Sequence, residues 1–126
     1  MRIGVTIDVP DLDRGVAFYG GAFGLAETAR PLPSLAVLSG EGGATLLLFE
    51  KPAGSLPFPG AAAPRDYGRH WTPVHVDFHV PDPEATRDRA LALGATLEAW
   101  HERPGRPGAA FMADPFGHGF CVIGGG

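Results

Sequence analysis

The run His75-Val76-Asp77-Phe78-His79 sets three groups able to ligate a metal or move a proton at every second position. Neutral imidazole offers nitrogen and Asp offers oxygen, a donor set suited to zinc, iron or nickel. Without a metal, the same groups can serve as base and acid near neutral pH. His75, Asp77 and His79 are therefore the candidate catalytic residues, and His75 is the candidate metal ligand. The alternative is a solvated sheet face, or a His–Asp pair that serves only structure. Cys121, the single cysteine, is either a soft ligand or a small buried apolar side chain, and burial is the commoner fate.

Aromatic side chains form a second group. Phe58, Tyr67, Trp71, Trp100, Phe111 and Phe116 lie in the middle segment or the second half of the chain. Planar apolar ligands stack on such side chains. Phe58 and Trp71 sit where there is little core to fill, which makes them the better ligand contacts. Arg65 and Arg69 share that segment and are candidate partners for an anionic group.

The elements that must position these residues come in two copies. Val5-Thr6-Ile7-Asp8-Val9-Pro10-Asp11 matches Val76-Asp77-Phe78-His79-Val80-Pro81-Asp82 at four of seven positions. Both alternate apolar and polar, the period of a half-buried strand. In both, Pro stops the ladder and Asp can cap a helix. The first helix is expected over 11–23 and ends at Gly24. The second is expected over 82–93, with Pro83 at its first position, and ends at Gly94. Strands are expected after the first helix at 26–30, 34–38 and 44–50, and after the second at 96–101, 109–113 and 119–123. Turn residues at 31–33, 40–43, 104–105, 107–108 and 114–117 separate them. The chain is one domain, 1–126, made of modules 1–50 and 72–126 joined by the loop 51–71. Alternation puts His75, Asp77 and His79 on one strand face, with Thr6 and Asp8 on the equivalent face of the first copy.

Composition narrows the function classes. The 126 residues include 19 Gly and 13 Pro, a share that alone suggests low complexity, but 44% are hydrophobic and eight are Phe, which a disordered chain would not carry. The net charge of −4 and the single lysine, Lys51, offer no basic block for nucleic acid. No apolar run approaches the length of a membrane span. There is no signal-type segment before Asp8, and a lone cysteine forms no internal disulfide, so a cytoplasmic location is expected.

Taken with the duplicated strand–helix–three-strand unit, Val9-Pro-Asp-Leu-Asp-Arg-Gly-Val-Ala-Phe-Tyr19 resembles the vicinal oxygen chelate superfamily. Leu93-Gly-Ala-Thr96 and Ala113-Asp-Pro-Phe-Gly-His-Gly-Phe-Cys121 resemble it too. That superfamily includes glyoxalase I, extradiol dioxygenases, fosfomycin-modifying enzymes and bleomycin-binding resistance proteins. The resemblance implies an α+β fold in which two βαβββ modules form an open, curled eight-stranded sheet with a cup-like polar face, and it implies a homodimer. The family's metal ligands fall on Gly4 and His75 at the first strands and on Cys121 at the last strand of the second module. The fourth falls near Leu47, with Glu50 the nearest carboxylate. One position of the four thus carries a usual ligand.

The resulting expectation is a glyoxalase-like small-molecule-binding protein, similar to the bleomycin-type resistance proteins and lacking the full family metal site. Asp8, Leu47, Phe58, Trp71 and Cys121 would contact the ligand. No cofactor is expected, with a divalent metal as the alternative. Two enzymatic readings stand beside it. One is a metal-dependent lyase, isomerase or dioxygenase. The other is a metal-free enzyme of secondary metabolism that uses His75, His79 and Asp77 as acid and base.

Overall fold

The computed structural model describes residues 1–125. The chain forms two compact units, one of residues 1–20 and 24–67, the other of residues 21–23 and 68 onward. Among the described residues eight strands are divided four and four between two mixed sheets, with two α-helices and one short 3-10 turn at Glu41–Gly43. No helix among the described residues is long and apolar enough to cross a membrane.

In the first unit β1 (Thr6–Val9) leads into α1, which spans Leu12–Phe23 and gives its last three residues to the second unit. Asp11 caps the helix by accepting from the Arg14 amide at 3.2 Å. Gly24 ends it in the left-handed region (φ 67°), which glycine adopts without a Cβ clash. Then come β2 (Ala26–Leu32), β3 (Leu35–Ser39) and β4 (Thr45–Glu50). Their order is β1-β4-β3-β2, with β1 and β4 parallel. Val9, Ala36, Leu38, Leu46 and Leu48 are buried with Leu12, Phe18 and Tyr19 of α1. Gly15 allows the close approach of helix to sheet: a Cβ there would lie 3.1 Å from Val9 and 3.3 Å from Leu48. Each fully buried side chain of this size is worth about 1.5–3 kcal/mol.

The second unit repeats the plan. Here β5 (Val76–Val80) leads into α2 (Pro83–Ala92), capped by Asp82 through the Ala85 amide at 3.0 Å. After it come β6 (Thr96–Arg103), β7 (Arg106–Ala113) and β8 (Gly119–Gly124), in the order β5-β8-β7-β6. Apolar periodicity in α2 is weak, because Arg87, Asp88 and Arg89 interrupt it. The cap, Pro83, and the buried Thr86 and Ala90 hold it instead. Phe23 stacks on Phe78 with ring centroids 3.7 Å apart and meets Phe120 edge-on. Before β8 the Asp114 carboxylate accepts the Phe116 and His118 amides at 2.8 and 2.9 Å, a side-chain-closed turn that starts the last strand.

Two turn assignments change. Leu32 belongs to β2, and the expected turn at Pro107-Gly108 lies inside β7. Pro107 is tolerated because the ladder is irregular there, between His101 and Arg103. The Arg103 guanidinium donates to the Pro107 and Gly124 carbonyls. Gly108 is required because a Cβ would strike the Trp100 ring.

Candidate functional site

The strongest cluster of chemistry-bearing side chains lies in the second unit. Pairing sets Asp77 of β5 opposite Cys121 of β8, and Cys121 opposite Phe111 of β7. Partners in a ladder share a face, so Asp77, Cys121 and Phe111 form a row across three adjacent strands. His75, two residues before Asp77, joins them. Its Nδ1 lies 2.8 Å from Asp77 Oδ1 and 3.7 Å from Cys121 Sγ.

Protonation follows from that geometry. An ionised carboxylate only accepts, so the short contact puts a hydrogen on His75 Nδ1, and in the neutral ring the lone pair is then on Nε2. Cys121 is buried, and its thiol donates to the same carboxylate. Burial, then the Asp77 charge and this hydrogen bond, push its pKa up to about 11. A thiol in that state is a weak nucleophile at neutral pH. Asp77 is therefore the acceptor at the centre of the cluster.

A cavity of ≈ 240 Å³ lies against this row, lined by His75, Cys121, Phe111, Trp71, Arg69 and Glu98, among others. Its walls are largely apolar. Trp71 is 78% exposed and Phe111 is 47% exposed. Arg69 grips Glu98 by two bonds, Nε to Oε2 at 2.7 Å and Nη2 to Oε1 at 2.8 Å. That contact holds the Glu98 carboxyl below its ordinary range.

The other predicted site residues lie apart from this cluster. His79 is exposed one pleat further along β5, opposite Ile123. Asp8, Leu47 and Phe58 belong to the first unit. There Asp8 accepts from Arg65 Nε at 2.9 Å, so Arg65 is engaged in an ion pair. Arg65 Nη1 also donates to the Leu56 carbonyl, and its backbone pairs with Gly54 and Ser55. The stretch 52–66 is thus a closed loop that holds Phe58 out, 61% exposed. Leu47 pairs with Thr6 and Val37, on the face opposite the buried Leu46 and Leu48. Glu50 has the parity of Leu48, so Leu47 rather than Glu50 shares the face of Thr6 and Asp8.

Sequence reasoning passed over Glu98 and Gly119. The signal was faint, since Glu98 sits where the β6–β7 register shifts between Leu97 and Ala99 and the period of two fails. His101 meets Phe111 edge-on with ring centroids 5.1 Å apart.

A family model described as a glyoxalase-like domain matches residues 4–123. The chain belongs to the glyoxalase-like domain family. Solved structures show the same vicinal oxygen chelate fold around this glyoxalase-like chain. One is a variant of the fosfomycin resistance protein FosX from Listeria monocytogenes, complexed with Mn(II) and 1S,2S-dihydroxypropylphosphonic acid. It is 19% identical with a TM-score of 0.70, over 98% of this chain and 88% of that one. Lactoylglutathione lyase from Agrobacterium tumefaciens is 23% identical with a TM-score of 0.65, over 99% and 93%. A glyoxalase/bleomycin resistance protein from Albidiferax ferrireducens is 22% identical with a TM-score of 0.65, over 98% and 97%. No curated protein matches in sequence.

The superfamily implies a divalent metal held by four ligands, and this glyoxalase-like chain does not carry that set. Gly4 has no side chain and Leu47 has no donor atom, so two of the four positions offer no ligand. What it does carry is His75, Asp77 and Cys121, with one ligand-type atom from each all within 4.8 Å of one another. Those atoms are engaged with one another.

Proposed function

We propose that this glyoxalase-like protein binds a compact planar organic molecule in the cavity of its second unit, without the family's four-ligand metal. The observation that carries the reading is the cavity itself: Trp71 and Phe111 line it together with His75, whose Nδ1 is engaged by Asp77. Pockets of this make-up, apolar with few polar groups that orient the ligand, are the usual small-molecule sites. At ≈ 240 Å³ the cavity is smaller than a drug-sized pocket, which favours a ligand of one or two fused rings. A hydrogen-bond donor on the ring, such as a phenolic hydroxyl, would face Nε2.

The test is a titration of tryptophan fluorescence with naphthol, a neutral planar donor, and with ethidium, a planar cation. Micromolar naphthol binding that weakens at least tenfold in Trp71→Ala and in His75→Ala supports the reading. Absence of binding below millimolar for both probes would overturn it.

A second reading is favoured by the Asp77–His75 contact of 2.8 Å. Asp77 orients the ring, and Nε2 takes a proton from the bound donor, as in metal-free general base catalysis. This reading does not use His79. It expects His75→Gln to abolish turnover of an acidic carbon or hydroxyl substrate while His79→Ala leaves it in place.

The reading takes the working protein as a homodimer. Ile3 and Val74, 82% and 83% exposed, flank β1 and β5 at the edges of their sheets, where a second copy would cover them.

A further inference from the structure

Arg69 opens a segment, residues 69–75, that runs without regular structure to the start of β5 and carries Trp71 along one wall of the cavity. The segment's local bonds are few: Arg69 Nη1 to the His70 carbonyl, His70 Nδ1 with the Gly68 carbonyl, and Thr72 Oγ1 to the Val74 carbonyl. None of these ties it to the sheet. At its far end His75 is held by Asp77 of β5 and Cys121 of β8, and at its near end the tie is the bidentate pair from Arg69 to Glu98 on β6. A second observation places the guanidinium from the other side. A Cβ at Gly119 on β8 would lie 2.8 Å from Arg69 Nη2 and 3.2 Å from Cζ. The guanidinium therefore lies against Gly119 of β8, where an added Cβ would displace it, and its fork grips Glu98 at the β6 bulge, with the Asp114 charge adding attraction.

We infer that Arg69 is a positioning residue for the cavity: gripped by Glu98 and seated on Gly119, it fixes the segment that presents Trp71 and so sets ligand affinity and exchange through that wall. The inference rests on the binding reading above for its effect on affinity, but the latch itself is a property of the protein without ligand. A flexible aromatic wall binds less well because the ordering cost falls due at binding, so fixing it beforehand raises affinity. The pair is about one-third exposed on each side. Its strength is therefore that of a surface pair, and losing it should increase opening of the segment by roughly two- to fivefold.

Two substitutions attack the latch from opposite sides, Glu98→Gln and Gly119→Ala. Neither removes a group from the His75–Asp77–Cys121 cluster. In Gly119→Ala the far end of a flexible side chain has to move, so the fold is expected to survive while Arg69 leaves its place. Amide hydrogen exchange over residues 69–75 reads the latch without any ligand. Both variants should exchange faster there than the unaltered protein, as should the unaltered protein in high salt, while β7 and β8 stay protected. Naphthol affinity should fall by a similar two- to fivefold factor in each, and the double variant should lose no more than either single one, because both break one unit. Unchanged exchange over 69–75 in both variants would overturn the latch. If exchange rises but naphthol affinity stays the same, Arg69 does not position the cavity. If the unaltered protein binds neither naphthol nor ethidium, the binding reading fails, while the exchange comparison still decides whether the latch exists.

Discussion

Three side chains decide the chemistry of the second unit, and Asp77 rules the other two. It accepts from His75 at 2.8 Å and from the Cys121 thiol, so burial first and then the Asp77 charge hold a proton on sulfur. The sign of the resulting pH dependence follows. The Cys121 pKa is raised from 9.0 to about 11, so between those values the folded state keeps a proton that the unfolded state has lost. Stability is therefore complete below about 9 and falls as pH rises towards about 11. Thermal unfolding followed across that window should show an alkaline loss that is absent in Cys121→Ala. Iodoacetamide should alkylate the native thiol slowly at neutral pH, and Asp77→Asn should lower the midpoint only in part, because burial is the larger cause. A midpoint near that of a free thiol would refute the arrangement. His-x-Asp-x-His was legible in the sequence as a patterned strand face. Which of its members meet was not, because that depends on β8, whose pairing no local pattern announces.

At the scale of elements the sequence was informative wherever a local rule acts alone. The Asp caps, Gly24, Gly94 and the alternation of β1 and β5 mark their elements directly, and the helices end within a residue or two of their signals. Local rules failed where tertiary contact overrides them, at Pro107 inside β7 and at the Glu98 bulge. The caps yield one prediction. Asp11→Ala and Asp82→Ala should each cost about 1 kcal/mol in chemical denaturation. The double variant should cost their sum, since the two caps share no partner. The joining loop yields another. Arg65 holds residues 52–66 through Asp8, Ser55 and Leu56, so Asp8→Ala should make 55–64 a preferred proteolytic site with little change in global stability. Cleavage at the same rate as in the unaltered protein would show that the backbone pairs of Gly54 and Ser55 suffice.

At the scale of the whole molecule, the two sheets have the same strand order and the same capped helix, and among the described residues the titratable cluster beside an aromatic cavity lies in the second copy. Duplication supplied the frame, and the side chains that face the equivalent positions diverged. In the first copy Asp8 is engaged by Arg65, and Leu47, on the same face, has no donor atom. This divergence bears on metal uptake. An ion at His75, Asp77 and Cys121 would have to displace the thiol proton and part the His75–Asp77 contact, so binding would release protons and strengthen steeply with pH. Zinc added to the purified protein at pH 7 should therefore remain substoichiometric by elemental analysis after gel filtration. Asp77→Ala, which lowers the thiol pKa but removes a ligand, should not raise the zinc content. Tight stoichiometric zinc at neutral pH, lost in His75→Ala and in Cys121→Ala alike, would instead show that the cluster is a metal site and overturn the metal-free reading.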